Sequence, residues 1–482
     1  MAQGDIKVLQ EDAGVYKEIN LRVSSVKSDG SGLHTVRYFD PFGALLSTQK
    51  IATGQNATPP TPPTLSLLTF HSWNHNGQNI TRNEDIGAIY NTTDGLTYIF
   101  IHVNSITGLQ PTIFLIKSTA AQMTINWGHG DNSLTSASGN ISIQKPTAYT
   151  AGNYTITIQC AQTYNFGHGT IATTLFGDTS SPYTSITKRI YFGANTTWLA
   201  GSVFHNHFGI NAIIVSSTIA GSIGSSAFRS CTSLPFIALP SVLTGSIGAN
   251  VFSLCSFLWA LSLPSGMTGS LGLSAFESCG MLQSLTLPSG MTGSLGSYTF
   301  AFCNSLIYLS LSSGFTGSIG AFCFDSCTAL RMLTFPSGIT GNIGTNAFRN
   351  CYSLIMTLPS GMTGSIEANG LRACYQFTSL VLPSGLGTAI GDSSFLNMKG
   401  LLSLTIPAVC TSVAANAFAT NDAINEYIFQ STTPPALAAT SAFTGIRLWT
   451  RIYVPDASVA AYKAATNWST YANYIYSINS RP

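Results

Sequence analysis

Between residues 199 and 430 the hydrophobic and polar positions repeat on two periods at once. The long period is marked by an aliphatic residue, usually after Gly-Ser: Ile223, Ile247, Leu271, Leu295, Ile319, Ile343, Ile366, Ile390 and Val413, at steps of 24 or 23 residues. Five residues after each marker comes Phe228, Phe252, Phe276, Phe300, Phe324, Phe348, Leu371, Phe395 or Phe418. Three residues further lies a slot held by Cys231, Cys255, Cys279, Cys303, Cys327, Cys351 and Cys374, then by Met398 and Asn421. A degenerate earlier copy fits Leu199, Phe204 and His207, giving about ten turns of a repeat.

The short period lies inside each unit. In "LQSLTLPSGMTG", Leu285 and Leu287 alternate with Ser284 and Thr286, which predicts a strand with one face in and one face out. Pro288, Gly290 and Gly293 then end the strand and supply the turn. A unit this short cannot bury its own apolar face, so neighbours must stack into a solenoid, with the Phe, Cys and Leu slots as interior ladders. The run Ile223 to Pro240 resembles the "IGxxAFxxCxxLxxLxLP" unit of BspA-like leucine-rich repeats. The fold class expected is therefore mainly β: a BspA-like leucine-rich-repeat solenoid over residues 199–430. Residues 431–482 resemble the C-terminal cap of such arrays.

Upstream the pattern changes to strands separated by polar turns. Trp127, Gly128, His129, Gly130 and Asp131, followed by Tyr149, Gly152 and Tyr154, resemble the "WGDGT" and "Y…aGxYtv" motifs of PKD-like (polycystic kidney disease repeat) β-sandwiches, with His129 where that family has Asp. This places a sandwich at residues 66–175 and a β-rich connection at 176–198. Residues 55–65 contain "QNATPPTPPT", a Pro/Thr segment expected to be an extended, stiff spacer. It would set residues 1–54 apart as an independent piece. That piece resembles the N-terminal attachment segments of bacteriophage fibre and other virion appendage proteins.

Composition narrows the function classes. Charged residues make up 8% of 482, with 20 Lys+Arg against 18 Asp+Glu, and mean hydropathy is +0.25. There is no basic run to displace counterions from a phosphate backbone, so nucleic acid is not an expected partner. No window holds eighteen consecutive apolar residues, so no membrane span is expected. The opening "MAQGDIKVLQEDAGVYKEINLRV" lacks the apolar core of a signal peptide, which argues against Sec export.

The candidate chemistry is sparse. Seven of ten cysteines occupy one repeat slot, where ladder neighbours could approach disulfide distances. Replacement of Cys by Met398 and Asn421 in that slot favours buried thiols over bridges or a metal. His71/His75 and His205/His207 have no companions at ligand spacing. No G-x-S-x-G, G-x-x-x-x-G-K-[ST] or H-E-x-x-H motif occurs, and Glu277, Asp325, Glu367 and Asp392 share no slot from which a carboxylate pair could cleave a glycan. Neither an enzyme nor a cofactor is expected. The strands are expected to turn Ser262, Thr286, Ser310, Thr334 and Thr405 outward, interrupted by Phe236 and Tyr308, with Trp259 and Tyr375 in adjoining loops. These four aromatics are the candidate binding residues, suited to stacking on sugars or to protein contact, or else they are filler between rungs.

Taken together, these features lead to the expectation of a bacteriophage virion fibre or appendage. Residues 1–54 would join it to other virion proteins, and the solenoid would meet a host surface glycan or protein, in a homo-oligomer that is trimeric by analogy. The alternatives are a bacterial cell-surface BspA-like adhesin and a virion-borne glycan depolymerase.

Overall fold

The computed structural model describes the backbone of residues 6–12 and 15–21, and residues 32–103, 109–166, 175–176 and 185–481 in full. The chain divides into two compact units that interleave along the sequence. The first holds residues 1–245, 255–267 and 284–288, and the second holds 246–254, 268–283 and 289–482.

In the first unit β1 (Ile6–Asp12) and β2 (Val15–Leu21) form an antiparallel hairpin. Next come β3 (Leu33–Phe39), β4 (Leu45–Ala52), β5 (Leu68–Trp73) and β6 (Glu84–Thr92), in one sheet of order β4-β3-β6-β5. This corrects the expectation of an independent piece before residue 54. β3 pairs in parallel with β6, Val36 opposite Glu84, and Val36, Tyr38, Ile80 and Ile86 share one core. The Pro-rich segment lies on the same body: Ala57 N–H donates to Gly77 O (2.7 Å), and Tyr90 Oη donates to Pro63 O (2.6 Å). The reason is burial. A lone hairpin is marginal in water, and the apolar face of β3 needs a partner strand to cover it.

The middle of this unit contains β7 (Thr97–Val103), β8 (Thr112–Lys117), β9 (Met123–Asn126), β10 (Asn132–Thr135), β11 (Gly139–Gln144), β12 (Gly152–Cys160), β13 (Tyr164–Phe166), β14 (Thr187–Tyr191) and β15 (Ala212–Ile214). They form a six-stranded sheet, β10-β9-β12-β7-β14-β15, and a three-stranded one, β11-β8-β13. Tyr164 Oη on the smaller sheet donates to Thr97 Oγ1 on the larger (2.6 Å). The pairing changes from antiparallel to parallel at β14–β15, where the first repeat strand begins.

Three more repeat strands belong here: β16 (Phe236–Ala238), β17 (Ala260–Ser262) and β18 (Ser284–Thr286). The face they present carries the sheet made by β3 and β6. Gly87 is required at this crossing, because a Cβ there would lie 2.5 Å from Ala238 Cβ and 3.3 Å from Ser262 Cβ. Asn74 Nδ2 donates to Ser262 Oγ (2.7 Å), Arg37 Nη2 to Ser284 Oγ (3.0 Å) and Thr286 Oγ1 to Asn83 O (2.8 Å). Arg37 is itself held by a bidentate pair with Asp85 at 2.7 and 2.6 Å.

The second unit continues with β19 (Gly293–Leu295), β20 (Tyr308–Ser310), β21 (Phe315–Ile319), β22 (Met332–Thr334), β23 (Ser379–Val381), β24 (Ala389–Ile390), β25 (Ser403–Ile406), β26 (Ser412–Val413), β27 (Glu426–Phe429), β28 (Ala436–Leu437), β29 (Arg451–Val454) and β30 (Ile475–Ser477), with α1 (Val459–Ala464) before β30. The strand pairs β19–β21, β20–β22, β23–β25, β24–β26, β25–β27, β26–β28, β27–β29 and β29–β30 all run parallel, as stacked repeats require. Phe252, Phe276, Phe300, Phe324 and Phe348 stack face to face with centroids 5.5, 5.4, 5.4 and 5.2 Å apart, the inward ladder expected of a leucine-rich-repeat solenoid. Phe204 and Phe228 stack in the same way in the first unit. The last rung is closed by an aromatic cluster in which Phe443 and Tyr462 pack on Trp468, whose indole N–H donates to Pro435 O (2.7 Å).

Candidate binding surface of the repeats

The segment between marker and Cys slot solves a backbone problem. Residues two before and two after each Phe take left-handed φ, for example Ser274 (53°) and Ser278 (61°) around Phe276, and Tyr298 (58°) and Phe302 (61°) around Phe300. The chain thereby runs as consecutive tight turns. Alternate N–H groups bond within the rung (Ala275 to Gly272 O, Glu277 to Ser274 O, Cys279 to Phe276 O), and the intervening ones bond to the next rung (Ser274 to Ser297 O, Phe276 to Thr299 O, Ser278 to Ala301 O). Every donor in this stretch is thus satisfied without a strand. Sequence reasoning missed this, although Ser and Asn recur at both positions and Asn in particular tolerates left-handed φ.

The Cys slot is buried throughout, and its thiols donate to the Phe carbonyl one rung back. Cys303 Sγ lies 3.1 Å from Phe276 O, Cys327 Sγ 3.0 Å from Phe300 O and Cys351 Sγ 3.1 Å from Phe324 O. Burial pushes the Cys303 thiol up to about 12. His207, which fills the slot in the first copy, is fully buried and driven down to about 4, chiefly by desolvation. The hydroxyl-rich turns are likewise structural: Thr340 Oγ1 donates to Thr316 O (3.3 Å) and Thr363 Oγ1 to Thr340 O (3.2 Å), while Ser294 Oγ accepts from Ser318 N–H (3.1 Å).

Two of the four repeat acids, Asp325 and Glu367, are engaged in rung-to-rung contacts. Asp325 is buried and bound bidentately by Arg349 at 2.9 and 2.6 Å, which holds the Arg349 guanidinium above its ordinary value. Glu367 accepts from Asn342 Nδ2 (2.9 Å) and from Thr345 N–H and Oγ1 (both 3.0 Å). Among the described residues no three His, Cys, Asp or Glu side chains are grouped to hold a metal. A cavity beside His75, Glu84 and Asp85 measures about 20 Å³, room for a water molecule and far too small for a sugar.

The four expected binding residues meet different fates. Phe236 is 1% exposed, a correction to its outward assignment: its ring packs 5.4 Å from Phe39 because the N-terminal sheet covers its face. Trp259 is partly buried at the same place, 5.5 Å from Phe39. Tyr375 is half-buried, with Tyr352 stacked at 4.8 Å from the rung before and Lys399 Nζ 5.0 Å from its ring centre from the rung after, so its faces are occupied within the array. Tyr308 is half-exposed on β20 and pairs in register with Met332, which in turn bridges to Ile355. Met332 is 44% exposed, Ile355 53%, and Val381 on β23 65%. These three apolar residues were missed in the sequence: Met332 and Ile355 share the slot of Phe236, Ala260, Ser284 and Tyr308, which carries no fixed polarity, and only Val381, in the slot of Ser262, Thr286, Ser310, Thr334 and Thr405, departs from a hydroxyl pattern.

Residues 197–317 and 293–425 match the BspA type leucine rich repeat region, in six copies. The repeats are of the BspA type. In fold, the chain is similar to a leucine-rich repeat protein from Bacteroides ovatus (18% identity, covering 62% of this chain and 91% of that one, TM-score 0.33). It is also similar to a leucine rich cell surface protein from Faecalibacterium prausnitzii (21%, 64% and 93%, TM-score 0.35) and to a T. pallidum leucine rich repeat protein (24%, 35% and 84%, TM-score 0.30). No curated protein matches the chain. In this BspA-type array the Phe and Cys slots serve as scaffold, and the outward strand positions of the second unit remain as its candidate binding surface.

Proposed function

We propose that this protein is a BspA-like cell-surface adhesin that acts by binding, with the outward strand face of its repeats as the contact surface. The observation that carries this reading is the exposure of Met332 and Ile355, bridged across successive rungs, and of Val381, in register with Thr405 on a later strand, among the hydroxyl side chains of parallel rungs. Exposed apolar side chains on a polar face are suited to a macromolecular partner, and stacked repeats multiply similar weak contacts. The BspA-type repeat match supports the surface reading over the virion-fibre one, which rests on residues 1–54, partly outside the described residues. The PKD-like reading of the middle region rests on its two sheets and on Tyr149 Oη donating to Trp127 O (2.7 Å).

The test is localisation together with binding. Antibody against the protein should label intact producing cells, and the purified chain should bind an immobilised panel of host glycans and extracellular proteins. The triple substitution M332S/I355S/V381S should weaken that binding at least tenfold with an unchanged melting temperature. Label confined to purified phage particles would restore the virion fibre. Release of soluble sugar by the purified chain would establish a depolymerase.

A further inference from the structure

The cap carries a surface feature that repeat packing does not explain. Arg447 to Thr450 form a β-turn closed by Thr450 N–H to Arg447 O (3.0 Å), and its two central residues are Leu448, 86% exposed, and Trp449, 57% exposed. Neither centre takes positive φ, so the backbone tolerates Leu and Trp, but turn centres ordinarily hold Gly, Pro, Asn, Asp or Ser, and two large apolar side chains facing water are unusual there. The turn is nonetheless held firmly. The Thr450 hydroxyl is buried and donates to Ile424 O (2.9 Å), and Arg451 Nη1 donates to Leu448 O (3.0 Å) and Thr450 O (3.1 Å).

The charge at its base has one sign in excess. Arg447 lies 6.0 Å from the Trp449 ring centre and pairs with the exposed Asp422 at 2.5 Å, while Arg451 lies 4.9 Å over the ring of Tyr476, itself exposed. A convex apolar tip above two guanidinium groups fits a surface that is apolar at depth and anionic at its rim. A second copy of this chain offers no such receiver in the cavity beside Glu84, which is too small for either side chain.

We propose that this turn is a membrane-contacting tip: Leu448 and Trp449 enter the interfacial region of an anionic lipid surface, and Arg447 and Arg451 meet its phosphates. Trp favours the headgroup level, Leu the acyl boundary, and basic side chains near the surface add attraction that salt screens. The contact is peripheral and involves no spanning segment, and among the described residues no helix is long and apolar enough to cross a membrane. It does not depend on the adhesin reading, because it uses none of the strand-face residues.

Cosedimentation of the full chain with vesicles tests it. Vesicles of phosphatidylcholine with one quarter phosphatidylglycerol should pull the protein down, pure phosphatidylcholine should do so at least about tenfold less well, and 0.5 M salt should reduce the binding. L448S/W449S should lose roughly tenfold or more in lipid affinity with an unchanged melting temperature, since both side chains are exposed. V381S, on the strand face, should bind vesicles like the wild type. No binding to anionic vesicles, equal binding to uncharged ones, or full binding by L448S/W449S overturns the proposal; the first of these leaves a protein pocket as the partner of the tip.

Discussion

The thiol of Cys303 donates to the carbonyl of Phe276, one rung earlier, at 3.1 Å, and the same bond recurs from Cys327 to Phe300 and from Cys351 to Phe324. The slot therefore asks for a small apolar side chain with one donor, which accounts for Cys without redox chemistry. Phe276 O keeps the Cys279 N–H as a partner (3.2 Å), so Cys303→Ala should cost only about 1–2 kcal/mol, from the lost thiol bond and the small cavity. Denaturant unfolding of the variant measures it, and a change within error would show that the thiol is only a spacer.

Because all ten cysteines are buried and desolvation raises the thiols of Cys303 and Cys351, among others, they should be unreactive in the native state. Ellman's reagent at pH 8 should find close to none before unfolding and ten afterwards without reductant. Rapid native labelling would mean that the rungs open.

His207 gives the first rung a pH dependence whose sign follows from burial. Its folded value of about 4 lies below the ordinary one of about 6.5, so the unfolded chain binds the extra proton between those limits. Stability is complete above about pH 6.5 and is lost as pH falls toward 4, by on the order of 2–3 kcal/mol from this group. His207→Cys, which restores the residue of the other rungs, should flatten that part of the profile in unfolding curves recorded at pH 7 and 4.5.

Asp325 and Arg349 should respond unequally to truncation. Arg349→Ala strands a buried carboxylate and should cost about 3 kcal/mol or more; Asp325→Ala leaves a guanidinium that is one-third exposed and should cost less. Equal losses in chemical unfolding would show that the pair acts only through packing.

Residues 33–54 should prove integral to the first unit. A chain starting at residue 65 would uncover Phe236, Ala260 and the partly buried Trp259 and remove the parallel partner of β6. It should aggregate or lose several degrees in melting temperature; unchanged melting would restore the spacer reading. Gly87→Val should act in the same direction through the 2.5 Å approach to Ala238, by about 1–3 kcal/mol.

The repeat itself was legible in the amino-acid sequence, because a ladder needs the same shape on each rung. Phe276 and Phe300 stack because successive rungs place Phe at one height, and neither depends on anything distant. The turn geometry was half-legible: Ser and Asn marked the left-handed positions, but Tyr298, Phe322 and Leu254 adopt them too, which only the alternating bonds of the stacked backbone explain. Burial of the outward face was not legible at all. Phe236 and Met332 occupy the same slot, eight residues after the ladder Phe, yet one is 1% and the other 44% exposed. The slot determines only that the side chain leaves the core of the rung. Whether it then meets water is decided by a sheet built from residues some two hundred positions earlier, whose place no local pattern encodes.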